Sequence, residues 1–186
     1  MVVATEFPFE LRTERVTLRD FVEADRPAFV DWAGNDQMYQ YMAWRLDGPD
    51  EADAYFSRVV NHPARQATPR GHWYLAALNE VGSFIGIVGF DRLPDSTAEF
   101  GWYLSPRWWN QGYATHITDR LLVFVFEELE LSAATATCDP DNLASRRVLE
   151  KNGLVLQGEE TRSTWQGERP RLRLGVSSQD GPPRRR

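Results

Sequence analysis

Between His72 and Leu104 three runs of alternating apolar, β-branched and aromatic residues follow one another: HWYLAAL (72–78), SFIGIVGF (83–90) and TAEFGWYL (97–104). Such runs read as strands. The joins, NEVG and RLPDS, are short enough for hairpins, so the three strands lie side by side and antiparallel. Directly after them comes SPRWWNQGYATHI (105–117). From Gln111 to about Leu129 the apolar residues Ala114, Ile117, Leu121, Phe124 and Phe126 then recur at roughly helical spacing. Another strand, Ala133 to Cys138, follows. A strand, a helix and a strand in that order make a crossover unit, and such units bind ligands at the carboxyl ends of their strands.

The flanking segments complete the pattern. Val16 to Asp20 alternates as a strand, and Glu23 to Trp32 reads as a helix stopped by Gly34-Asn35. Gln37 to Trp44 is rich in aromatics and methionine. Gly48-Pro49-Asp50 is a break, with Asp50 placed to cap a helix running to about Asn61. Asp141 to Asn152 is helical, with Gly153 in position for a left-handed cap. Leu154 to Thr161 and Arg171 to Val176 are two last strands joined through a Trp-Gln-Gly turn. The expected fold is α/β of the α+β type: a mixed, mostly antiparallel sheet of about seven strands, with helices on both faces and one parallel crossover.

No repeat or long linker divides the 186 residues, so a single domain over 1–176 is expected, with a disordered tail over 177–186. No apolar run approaches the ~20 residues of a membrane helix, and the N-terminus lacks the basic flank and apolar core of a secretory leader. The single cysteine, Cys138, rules out an intramolecular disulfide and fits a reducing, cytoplasmic setting. A net charge of −6 argues against a general nucleic-acid binder and favours, by steering, a cationic partner. His62 and His72 lack metal-ligand spacing, so no metal is expected.

Two short stretches carry the chemistry. A helix N-terminus exposes unpaired N–H groups and partial positive charge. Gly112 and Ala114 remove side-chain bulk there, and Asn110 and Gln111 can bend the chain and donate further bonds. Asn110 to Thr115 thus has the makings of an anion cradle, or is simply a strand-to-helix turn. Neither GxxxxGK[ST] nor GxGxxG is present. Trp108-Trp109 serves either as a staple over the core or as a stacking surface for a ligand. Next comes DPDNLASRRVLEKNGL (139–154), where Asn142 and Ser145 share one face at a helix N-terminus; capping and ligand binding both fit them.

Taken together, LRTERVTLRDF, GIVGF, AEFGWYLSPRWWNQGYAT and NLASRRVLEKNGL resemble the GNAT superfamily of N-acetyltransferases, and most of all its RimJ/RimL-like, ribosomal-protein N-terminal branch. The resemblance spans roughly residues 9 to 176. In that branch the pyrophosphate loop often opens on a tryptophan, matched here by Trp109, with Gly112 and Ala114 following; Asn110 stands where the branch usually has glycine. The resemblance implies that acetyl-CoA is the co-substrate and that main-chain amides of about Gln111 to Thr115, Tyr113 and Ala114 included, hold its pyrophosphate. It implies that Tyr103 and Leu104 pair with the pantetheine arm, that Asn142 and Ser145 line its thiol end, and that homodimers are common.

The same resemblance implies acetyl transfer to a primary amine, a protein N-terminus or a small molecule, by direct attack in a ternary complex. The alternative on the same fold is a non-catalytic acyl-CoA-binding regulator. Glu99 is the candidate base, directly or through water, though it also reads as a solvated strand carboxylate. A backbone N–H near Tyr103 or Leu104, at a bulge the family carries there, would meet the oxyanion. The resemblance also implies that Ser145 returns a proton to the thiolate; many relatives use a tyrosine there, and its absence after Tyr113 favours Ser145 or water. Tyr41, Met42, Trp44 and Trp165 are expected around the acceptor, or in the core.

Overall fold

The computed structural model describes residues 7–67 and 69–180. Its strands are β1 (Glu10–Arg12), β2 (Val16–Asp20), β3 (His72–Asn79), β4 (Phe84–Arg92), β5 (Thr97–Leu104), β6 (Ala133–Cys138), β7 (Val155–Thr164) and β8 (Gly167–Ser177). Its α-helices are α1 (Arg26–Ala33), α2 (Pro49–Val60), α3 (Tyr113–Val123) and α4 (Leu143–Lys151). The strands form one sheet in the order β1-β2-β3-β4-β5-β6-β8-β7. Every neighbouring pair is antiparallel except β5–β6, which the crossover through α3 makes parallel. The sheet thus has eight strands rather than about seven. The added one, β1, has three residues, of which only Leu11 points inward, too few to show alternation.

Alternation sorts the strand residues into two cores. Trp73, Leu75 and Ala77 join Ile117 and Leu121 of α3 and Leu149 of α4 on one face; Tyr74 and Ala76 join Phe29 of α1 and Phe56 of α2 on the other. Along β4 the alternation breaks. The register slips between Ala77 and Leu78, which face Gly86 and Phe84, leaving Ile85 as the extra residue of a bulge. Gly86 beside it has φ +154°, and a Cβ there would sit 2.3 Å from the Tyr103 carbonyl oxygen. Only glycine lets β4 approach β5 so closely. The bulge expected near Tyr103 and Leu104 is therefore found elsewhere, since the β4–β5 register runs unbroken from Gly86↔Leu104 to Arg92↔Ala98.

Several boundaries shift for local reasons. Glu23–Asp25 is a 3-10 turn ahead of α1, and Asp36–Gln40 is another. Gly48, not Asp50, takes the N-cap of α2; Pro49 opens the first turn and Asp50 sits inside it, where its charge favours the helix dipole. The helix expected over 111–129 is α3 followed by a π-helical turn, Phe124–Glu128, which keeps Phe124 and Val125 buried. β8 runs to Ser177 and 178–180 form a 3-10 turn; the rest of the expected tail, 181–186, lies outside the described residues. Among the described residues no helix is long and apolar enough to cross a membrane.

One buried ionic cluster ties the first strands to the loop before β3. Asp20 is 2% exposed and accepts from both Arg70 Nη1 (2.9 Å) and Nη2 (2.7 Å), and from the Phe9 N–H (2.9 Å). Arg65, also buried, lies 3.6 Å from the same carboxylate and donates to the Phe21 carbonyl. Removing one partner of such a pair leaves buried charge uncompensated. Asp20→Asn should therefore lower unfolding stability by about 3 kcal/mol or more, read from the midpoint of urea denaturation.

Candidate active site

The parallel ladder between β5 and β6 is short, pairing only Thr97, Ala98 and Glu99 with Ala133, Ala134 and Thr135. β5 then continues to Leu104 and β6 to Cys138 without pairing to each other. The strands splay, and the wedge between them is the middle of a cavity of about 480 Å³ lined by Trp102, Tyr103 and Leu104 on one side and Thr137 and Cys138 on the other.

The loop from β5 into α3 closes one end. Asn110 (φ +59°) and Gly112 (φ +85°) both adopt left-handed backbone and flank Gln111. Left-handed residues beside a right-handed helix start fold the chain into a concavity of main-chain N–H groups. Gly112 is the N-cap of α3 and no side chain caps the helix, so its first amides keep their donors for a ligand. Asn110, Gly112, Tyr113, Ala114 and Thr115 line the cavity. Gln111 does not: its carbonyl accepts from Arg15 Nη1 (2.9 Å) and its side chain donates to the Arg107 carbonyl (2.7 Å). Arg15 also lies 4.6 Å over the Tyr113 ring, and the Tyr113 hydroxyl donates to Glu80 (3.0 Å).

The tryptophan pair divides its duties. Trp109 Nε1 donates to the Leu104 carbonyl (2.7 Å), latching the loop to the end of β5, while Trp108 packs on the core edge-on to Tyr113. Both also line the cavity. At α4, Asn142 Oδ1 accepts from the Ser145 N–H (3.0 Å), so Asn142 does cap the helix, and both residues face the cavity as well.

At the other end stand Met38, Tyr41, Met42 and Ala43, with Arg162 of β7 and Arg171 of β8. Trp44 is not part of this wall. It stacks on Tyr55 (5.6 Å, 12°) and meets Tyr103 edge-on, inside the α1–α2 core. Trp165 contributes main chain instead of its ring, donating its N–H to the Ala43 carbonyl (3.1 Å) while Arg45 lies over its indole. Glu99 stands behind the wall: Arg162 Nη2 donates to it (2.9 Å), and Arg162 and Arg173 both pair with Glu160. Trp32 Nε1 donates to the Tyr103 carbonyl (3.1 Å), fixing that end of β5.

Arg162, Arg171 and Thr137 escaped the sequence reading. A signal existed in RLRLG, where Arg171 and Arg173 alternate with the leucines of a strand and so share the opposite face. Cys138 belongs to the cavity wall as well as the core, and burial pushes its thiol above the ordinary range. Among the described residues no group of three or more His, Cys, Asp or Glu is placed to hold a metal ion.

A cavity with a nest of helix-start amides at one end, an open wedge between parallel strands at its middle and an aromatic wall at the other suits a long thiol cofactor carrying phosphates. Comparison with known proteins agrees. Residues 15–155 match the acetyltransferase (GNAT) domain model, and the chain belongs to this family; it is an acetyltransferase. It is 26% identical over 149 residues to the uncharacterized N-acetyltransferase YnaD of Bacillus subtilis, covering 80% of this chain and 84% of that one. It is 28% identical over 91 residues to the ribosomal-protein-serine acetyltransferase of Escherichia coli, covering 48% and 51%. The structure of Mycobacterium smegmatis RimJ in complex with CoA-disulfide superimposes with a TM-score of 0.82 at 19% identity, covering 95% of this chain and 90% of that one. The chain thus resembles a ribosomal-protein-serine acetyltransferase over part of its sequence and RimJ in fold.

The buried, high-pKa thiol gives a direct check on the wall. A thiol reagent such as DTNB should leave Cys138 untouched in the folded protein at pH 8 and titrate it fully in denaturant.

Proposed function

We propose that this acetyltransferase moves the acetyl group of acetyl-CoA to a primary amine, a peptide N-terminus or a small molecule, by direct attack in a ternary complex. The observation that carries the reading is the wedge between β5 and β6: one continuous cavity joins the amide nest at Gly112 to the wall of Met38, Tyr41 and Met42. Cofactor and acceptor reach the same point from opposite ends.

Each residue's task follows from the chemistry. The amides at the start of α3 hold the pyrophosphate, and Gly112 keeps that approach free of side-chain bulk. The unpaired edge of β5 at Tyr103 and Leu104 lies along the pantetheine arm. A backbone N–H there meets the oxygen as the amine nitrogen bonds to the thioester carbonyl carbon and negative charge develops. The C–S bond then breaks and the thiolate takes a proton from the Ser145 hydroxyl, which regains one from water as the thiol leaves. The amine nitrogen sheds its extra proton through water toward Glu99, since Glu99 sits one ion pair behind the wall. An α-amine with pKa about 8 needs far less help in losing that proton at pH 7 than a lysine near 10.4. A carboxylate acting through water therefore suits an N-terminal or similarly acidic amine. The single buried cysteine suits work in a reducing cytoplasm.

Thiol release from acetyl-CoA, followed across a panel of amines, tests the reaction. Release that depends on an amine supports it; tight binding of acetyl-CoA without release for any amine would make the protein an acyl-CoA-binding regulator. Gly112→Val forces a β-branched residue into left-handed backbone at the nest, with its Cβ 3.4 Å from Arg15 Nη1. Affinity for acetyl-CoA, measured by calorimetry, should fall at least about tenfold while the fold persists. Glu99→Gln should lower kcat/KM about 10²-fold and leave acetyl-CoA affinity unchanged; an unaltered rate would move the base elsewhere.

A further inference from the structure

We infer that the acceptor of this site carries a carboxylate within a few atoms of its amine, and that Arg171 receives it. The inference rests on the amine-transfer reading above and narrows it to a substrate class.

The acceptor wall is rigid at two points. Arg171 Nη1 donates to the Tyr41 carbonyl (2.7 Å), and the Trp165 N–H donates to the Ala43 carbonyl (3.1 Å). The hairpin of β7 and β8 thereby pins the 41–43 segment across the end of the cavity. Two arginines, Arg162 and Arg171, face inward from this hairpin. Their surroundings differ. Arg162 is matched by two carboxylates, Glu99 and Glu160. Arg171 is 5% exposed, and among the described residues its guanidinium makes one hydrogen bond, to the Tyr41 carbonyl. The carboxylate paired with it, Asp139, stands off at 3.9 Å, and the other oxygen of Asp139 accepts the Asp141 N–H. Arg171 Nε has no acceptor.

A guanidinium offers five donors, and burying its charge without matched acceptors costs stability. A fixed, buried and under-satisfied guanidinium on a cavity wall is a receptor for an anion, and its planar fork matches a carboxylate. The local charge points the same way. Arg147, Arg162 and Arg171 line the cavity against a single carboxylate, Asp139. The chain as a whole carries −6, which draws cations to its surface. The wall that the acceptor must touch nonetheless presents Arg171 with its charge poorly matched, so a polyamine would meet like charge there. Free amino acids and peptides with an acidic residue beside the N-terminus share the required chemistry.

Two matched pairs of acceptors test this by thiol release. One pair is 5-aminopentanoate and pentylamine; the other is a C-terminally amidated tripeptide with Asp at its second position and the same peptide with Asn. The acidic member of at least one pair should show kcat/KM about tenfold or more above its neutral partner; which pair responds distinguishes a small acid from a peptide terminus. Arg171→Gln should abolish that preference through KM, with acetyl-CoA affinity within twofold of the parent, and Arg171→Lys should keep part of it. Equal rates within both pairs, or an equal loss for both members in Arg171→Gln, overturn the inference. Should Arg171→Gln fail to fold, the preference of the unaltered protein decides. Acetyl-CoA binding without transfer to any amine overturns the transferase reading itself, and the inference with it.

Discussion

The structure turns on where one ladder of hydrogen bonds stops. β5 and β6 pair over three residues each and then part, although both strands continue. Had the ladder run on, the sheet would be closed and the ends of α3 and α4 would abut solid backbone. Because it stops, Tyr103 and Leu104 keep an edge with no strand beside it on the β6 side, and two helix N-termini converge on the opening. An unpaired strand edge and an uncapped helix start, that of α3, are normally costly when buried. Here both face one cavity, where a ligand's polar groups can satisfy them.

The surrounding structure holds that opening in shape. On the β4 side Gly86 allows close approach, and the unbroken β4–β5 register keeps β5 straight. Indole donors fix the last two carbonyls of β5, Trp32 at Tyr103 and Trp109 at Leu104. Arg15, from the turn between β1 and β2, anchors the Gln111 carbonyl and so steadies the peptide ahead of Gly112. The acceptor wall is held separately, from the β7–β8 hairpin. The two ends of the cavity are thus supported by distant parts of the chain that meet only in the fold. Arginines also line the cavity: Arg147, Arg162 and Arg171.

Much of this was legible beforehand, for identifiable reasons. Period-two runs between 72 and 104 and the helix-period run after 111 are local patterns, and they specify hairpins and a crossover whatever else the chain does. The glycine at 112 and the Asn142–Ser145 pair are read through backbone geometry that depends on few neighbours. Other readings stayed open where neighbours decide. Trp44 and Met42 look alike in a Met- and aromatic-rich segment, yet Trp44 stacks on Tyr55 in the core while Met42 reaches the cavity. Glu99 alternates to the expected face, but its partner Arg162 is 63 residues away and claims it. β1 is too short to show a period at all.

The sequence by itself determined most of the elements, the crossover and the helix start free of side-chain bulk at Gly112, because each depends on dihedral preferences and side-chain periods within a few residues. Only the tertiary structure decided where β5 and β6 separate, which of the aromatic residues face the cavity, and that Arg171 is buried short of acceptors on its wall. Those are relations between segments far apart in the chain. Packing and long-range hydrogen bonds set them, and no local pattern records them.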